Sequence, residues 1–157
     1  METTREGGQK KVHENTVKQL NQLLEKSYDA EKGYKNAIDK IESPRLKTFF
    51  QERALERSRF ATELHNELSK INEEPTTKGS TAGTIHRTWM DIKTAWTSDN
   101  DESILEECIR GEKASVEEYK EALKEDSLLA EVRPTVRGQL SHIESTLETV
   151  KKLEDLN

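Results

Sequence analysis

CIRGEKASVEEYKEAL, residues 108–123, reads as an amphipathic helix with an acid on its apolar stripe. Leu105, Glu112 and Tyr119 recur every seven residues, flanked by Ile109, Val116 and Leu123, so Glu112 falls on the side that faces a core. A carboxylate buried there without a partner would cost several kcal/mol or be driven to protonate. The position therefore calls for a counter-charge, and inside a helical bundle a metal ion or an arginine supplies one.

The same patterning extends outward in both directions. A run from about Glu14 to Glu42 sets Val17, Leu20, Leu24, Glu31, Tyr34, Ile38 and Ile41 on one side, a long helix with a second acid, Glu31, in mid-stripe. In ESPRL, Ser43 suits an N-cap and Pro44 the first turn of a second helix, which reaches about Asn72 and buries Leu46, Phe49, Phe50, Glu56, Phe60, Leu64, Leu68 and Ile71. So short a turn makes the two helices an antiparallel hairpin. After the loop NEEPTTKGSTAG, the stretch TIHRTWMDIKTAW places Ile85, Trp89, Ile92 and Trp96 on one face of a short crossover helix.

TSDNDES then offers Ser98 or Asp99 as the cap of a third long helix, Ile104 to about Lys124. A fourth, from about Leu129 to Leu153, carries Val132, Val136, Leu140, Ile143, Leu147, Val150 and Leu153, with Pro134 marking its start or a kink. No strand pattern appears. The expected fold is all-α, a four-helix bundle of two hairpins joined by the crossover, with residues 14–157 as one domain behind a disordered polar tail, 1–13.

Composition agrees with this plan and removes several classes of function. At 157 residues the chain is long enough for one core and short for two. Hydrophobic residues at 31% and charged residues at 36% suit slender helices with one buried stripe and a broad wet face. The net charge of −6, with both signs interspersed, gives no footprint for nucleic acid or an anionic membrane, and neither is expected as a partner. The polar start METTREGGQKKVHEN lacks the apolar core of a secretory signal, and no run approaches the roughly 20 apolar residues of a span, so a cytoplasmic location is expected. The single cysteine, Cys108, forms neither an intrachain disulfide nor a thiolate metal site and reads as a small buried hydrophobe. There is no Gly-rich phosphate loop, Cys/His zinc cluster or Ser-His-Asp set.

The inward acids have a weak internal symmetry. EKGYKNAI at Glu31 and EKASVEEYKEAL at Glu112 both pair Glu-Lys with a following Tyr-Lys-x-Ala, at Tyr34 and Tyr119, as two related hairpins would. In the second helix of each hairpin a polar residue is followed three positions later by another that shares its face: Glu56 and Arg59 in ERALERSRF, Gln139 and His142 in RGQLSHIES. The helix plan, these residues and the STAGTIHRTWMDIK crossover resemble the ferritin-like superfamily, and more closely a family of small uncharacterised bacterial four-helix-bundle proteins classed as a domain of unknown function. The likeness covers residues 14–154. It implies a di-iron carboxylate centre for oxygen, peroxide or iron chemistry, with Glu31, Glu56, Glu112 and His142 at the matching ligand positions. Arg59 stands where that pattern has histidine and Gln139 where it has glutamate, which leaves three Glu and one His.

The alternative needs no metal. Arg53 and Arg57 flank the inward face of the second helix beside Arg59, and three guanidiniums match three carboxylates in number and geometry. Tyr34, Tyr119 and Gln139 then read as hydrogen-bonding neighbours, His65 as solvated, His86 as a cap or packing residue, and His13 as part of the tail. Three functions follow as expectations. The first is a non-enzymatic structural or stress-associated bundle with a degenerate metal centre that self-associates as a homo-oligomer. The second is an iron-binding protein or oxidoreductase using Glu31, Glu56, Glu112 and His142. The third is a helical adaptor that meets a protein partner around Trp89 and Trp96.

Overall fold

The computed structural model describes residues 4–75, 101–124 and 127–156. Four helices make up nearly all of them: α1 (Thr4–Ile38), α2 (Pro44–Lys70), α3 (Asp101–Ala122) and α4 (Arg133–Leu156). No strand occurs among the described residues. α1 packs along α2 as one hairpin and α3 along α4 as a second, while α1 meets α3 and α2 meets α4 over shorter lines. The expected crossover helix with Trp89 and Trp96, His86 and the cap candidates Ser98 and Asp99 lie outside the described residues.

Local chemistry explains where the helices begin and end. Ser43 caps α2 from an extended backbone, its hydroxyl accepting from the Leu46 N–H, and Pro44 takes the first turn, where a missing N–H is no loss. At the other end Asn72 adopts a left-handed φ of 63°, which its short side chain tolerates. Its N–H reaches the Ser69 carbonyl at 3.1 Å and the Glu73 N–H reaches Leu68 at 3.0 Å, the paired closure of a Schellman motif. Pro134 falls in the first turn of α4 and so marks a start and not a kink.

α1 starts earlier than its apolar periodicity suggests. The tail expected over residues 1–13 is corrected here, because the chain is already helical from Thr4. Gly7 and Gly8 lie within that first stretch and weaken it by about 1 kcal/mol each relative to alanine. Tertiary ties compensate. His13 Nε2 sits 3.0 Å from Glu73 just past the α2 cap, and Asn15 donates to the Ser127 carbonyl at 2.6 Å. The buried Thr16 hydroxyl donates to Val12 at 2.8 Å and accepts from the Leu129 N–H at 2.9 Å.

At the opposite end of the bundle a single carboxylate joins the two hairpins. Asp101, the first residue of α3, accepts from the Glu42 N–H at 3.0 Å with one oxygen and from the Ser43 N–H at 3.1 Å with the other. The α1–α2 turn thereby obtains partners for two backbone donors from a residue 58 positions downstream of Ser43. Replacing Asp101 with alanine is expected to lower stability by about 1–3 kcal/mol, read as a lower urea midpoint with an unchanged slope.

The buried apolar side chains form two clusters. One gathers Leu20, Leu24, Phe60, Leu64, Leu68, Val132 and Ile143 with their neighbours, at the end where α1 begins. The other gathers Tyr34, Ile41, Phe50, Leu105, Val150 and theirs, at the α1–α2 turn.

Candidate functional site

Between the two clusters every helix buries something polar: Ser27 on α1, Arg57 on α2, Glu112 and Ser115 on α3, Thr146 on α4. Ser27, Arg57, Glu112 and Thr146 each sit midway in an otherwise largely apolar seven-residue series. These are Leu20–Ser27–Tyr34, Phe50–Arg57–Leu64, Leu105–Glu112–Tyr119 and Gln139–Thr146–Leu153, so each of the four helices carries a polar position in its middle turns.

Arg57 and Glu112 form the centre of this layer. The guanidinium Nη2 lies 2.5 Å from Glu112 Oε1, and both side chains are almost wholly shielded, at 4% and 1% exposure. Burial pushes the Glu112 carboxyl above its ordinary value, the Arg57 charge draws it back, and the Tyr34 hydroxyl assists more weakly. Burial acts in the opposite direction on Arg57, lowering its value, but Glu112 together with the Tyr34 and Tyr119 phenols reverses that effect and holds the guanidinium charged. The second carboxylate oxygen, Oε2, makes no hydrogen bond among the described residues.

Two further groups extend the layer. Arg53 Nη1 bonds Glu56 at 3.3 Å and the Thr146 hydroxyl at 3.2 Å, tying α2 to α4. Tyr119 donates to Gln139 Oε1 at 2.7 Å, and the Gln139 amide donates to the Phe60 carbonyl at 3.2 Å and to Glu63 at 2.9 Å. The Cys108 thiol donates to the Tyr34 hydroxyl at 3.4 Å. Burial, reinforced by Glu112, pushes that thiol far above its ordinary value, so Cys108 is inert in the closed bundle. Burial likewise raises both Tyr34 and Tyr119, which remain protonated donors.

The four candidate metal ligands are not gathered at one point. Glu112 faces Arg57. Glu56, at 11% exposure, is held by Arg53 and by Arg59 at 3.7 Å, and His142 Nδ1 lies 3.9 Å away from it on a side chain that is 59% exposed. Glu31 lies outside the layer, where it takes Lys35 at 2.6 Å one turn along α1. The expectation that Glu31 points inward is corrected: Ala30, Tyr34 and Ala37 are buried while Glu31 and Ile38 are only partly so. A strict seven-residue series drifts by about 20° per heptad on a straight helix, and along α1 the drift carries Val17–Leu24–Glu31–Ile38 to the edge of the core. Arg59 is likewise an outer residue, and His13, expected in a loose tail, pairs with Glu73.

Among the described residues only Glu102, Glu106 and Glu154 bring three ligand atoms to within 4.8 Å of one another, and two of these are exposed. Ser27, Ser115 and Thr146 escaped the sequence reading, although their places in the seven-residue series were available. An open groove of about 590 Å³ runs between α2 and α4 past Glu63, Glu67, Thr135 and Gln139, on the side where these two helices meet least.

The site thus defines a class: a protein whose described residues form four helices and no strand, and whose interior carries a charge-balanced arginine–carboxylate layer in place of a continuous apolar core. Residues 15–125, from Asn15 in α1 through α3, match the family described as a domain of unknown function, DUF2383, and the chain belongs to that family. Among curated proteins, none matches the chain. No helix among the described residues is long and apolar enough to cross a membrane.

The pair can be dissected by substitution. Glu112→Ala leaves Arg57 without its acceptor and is expected to cost about 3–5 kcal/mol, whereas Arg57→Met with Glu112→Leu is expected to be neutral or stabilising. Because burial raises Glu112, the folded chain holds that proton more tightly than the unfolded chain does. The stability it contributes is full below the ordinary value of 4.5 and is lost as pH rises through the folded value. Glu112→Gln, which keeps an acceptor for Arg57, is expected to flatten this fall when urea midpoints are followed against pH. Glu118, raised by its own burial, leaves a residual slope of the same sign.

Proposed function

We propose that this protein is a non-enzymatic structural module, a bundle of ferritin-like plan in which arginines stand where that plan would put a metal, and that it works by self-association. The observation that carries this reading is the Arg57–Glu112 ion pair in the bundle centre. A guanidinium against the most buried acid supplies the counter-charge that a cation would supply, with directional hydrogen bonding besides. Arg53 and Arg59 neutralise Glu56, and Lys35 neutralises Glu31. With one candidate acid outside the layer and His142 largely in solvent, the set Glu31, Glu56, Glu112 and His142 does not fit a shared iron, so no redox step is assigned to it.

Self-association is preferred to an adaptor role on the described surface. Leu55 is the one large hydrophobic side chain left exposed there, so no broad apolar patch offers itself to a foreign partner. The mixed charge of the exposed helix faces suits contacts between copies, in which plus meets minus by symmetry.

Iron loading tests the reading. After anaerobic incubation with Fe²⁺ and removal of the excess, elemental analysis is expected to find negligible iron on the wild-type chain and on Glu112→Ala alike. About two irons per chain, lost in the variant, would overturn it in favour of an iron-dependent oxidoreductase. Sedimentation velocity over a wide concentration range is expected to show an oligomer, and a monomer throughout would overturn the self-association.

A further inference from the structure

The two apolar clusters share no buried member, and among the described residues the half-buried Ile109 packs against both. An interior opens all-or-none when its apolar contacts are continuous; where polar groups interrupt them, smaller cooperative units become possible. Here buried polar side chains interrupt all four helices, Ser27 on α1, Arg57 on α2, Glu112 and Ser115 on α3, and Thr146 on α4.

The two ends are also secured separately and unequally. The end where α1 begins is tied by His13–Glu73, Asn15–Ser127 and Thr16–Leu129, and its cluster is rich in leucine with Phe60 and Ile143. The end at the α1–α2 turn has the Asp101 clamp, and its cluster includes Ala30, Ala37, Ala54 and Cys108, which bury less apolar area than leucines would.

We infer that the bundle consists of two cooperative units joined at the Arg57–Glu112 layer, and that the unit at the α1–α2 turn opens while the other remains closed. On opening, the layer meets water with groups that are already polar, so the break exposes the apolar side chains of one cluster only. The interior face carrying Tyr34, Phe50 and Cys108 thereby becomes accessible without global unfolding.

Cys108 is the chain's single cysteine and lies buried in the unit that opens, so it reports the event directly. Labelling of the wild-type thiol with 5,5′-dithiobis(2-nitrobenzoate), below the denaturant concentration of global unfolding, is compared with amide hydrogen exchange over Phe60–Leu68. Cys108 is expected to report an open population about tenfold or more above that of the Phe60–Leu68 amides, with a shallower denaturant dependence. Equal open populations with equal slopes at both places would overturn the inference. Arg57→Met with Glu112→Leu, which makes the core continuous, is expected to bring Cys108 labelling down to the global level. Labelling still above that level in the folded double variant would overturn the layer as the joint. Should that variant fail to fold, the wild-type comparison decides alone.

Discussion

A carboxylate that cannot reach water needs a cation, and the interior of this bundle is arranged around that constraint. Glu112 on α3 obtains its cation from Arg57 on α2, the helix diagonally across the core, so the pair reaches from one hairpin to the other. Apolar contacts between helices are interchangeable to a degree, since one leucine slides past another at modest cost. An ion pair at 2.5 Å is not. It fixes the vertical register of α2 against α3, and with it the register of the hairpins each belongs to.

The surrounding polar groups follow from this choice. Buried polar side chains need partners, and those around the layer have them: Ser27 donates to the Leu23 carbonyl at 2.9 Å and Thr146 accepts from Arg53 at 3.2 Å. Arg53 and Glu56 form a second balanced pair at the rim of the layer, and Thr146 joins them to α4. The interior holds arginines and glutamates in matched number there, and its inertness has the same origin. The thiol and both phenols are kept protonated by burial, with Glu112 adding to the effect.

Much of the architecture was legible because helix signals are local. The Ser43 cap, Pro44 in the first turn and the apolar periods of four helices depend on neighbours three or four residues away. What escaped was tertiary. α1 is anchored at His13, Asn15 and Thr16 by Glu73, Ser127 and Leu129, and nothing in METTREGGQKKVHEN announces those partners. Glu112 was legible as an inward acid and Arg57 as a candidate partner, whereas Glu31 misled: a seven-residue spacing alone cannot tell the centre of a stripe from its edge. Small polar residues are weak signals singly, and Ser27, Ser115 and Thr146 gain meaning only once the helices are packed and all three prove buried.

The Asp101 clamp also bears on the order in which the chain assembles. Each hairpin is closed by contacts near in sequence, which cost little loop entropy and form early. Asp101 and Glu112 reach residues 58 and 55 positions away, so neither can act until both hairpins exist. Two donors at the α1–α2 turn therefore stay solvated until docking, and the final step of assembly desolvates backbone and charge together with the apolar side chains that the two hairpins share. The surface on which this protein closes is the one where its polar chemistry is concentrated.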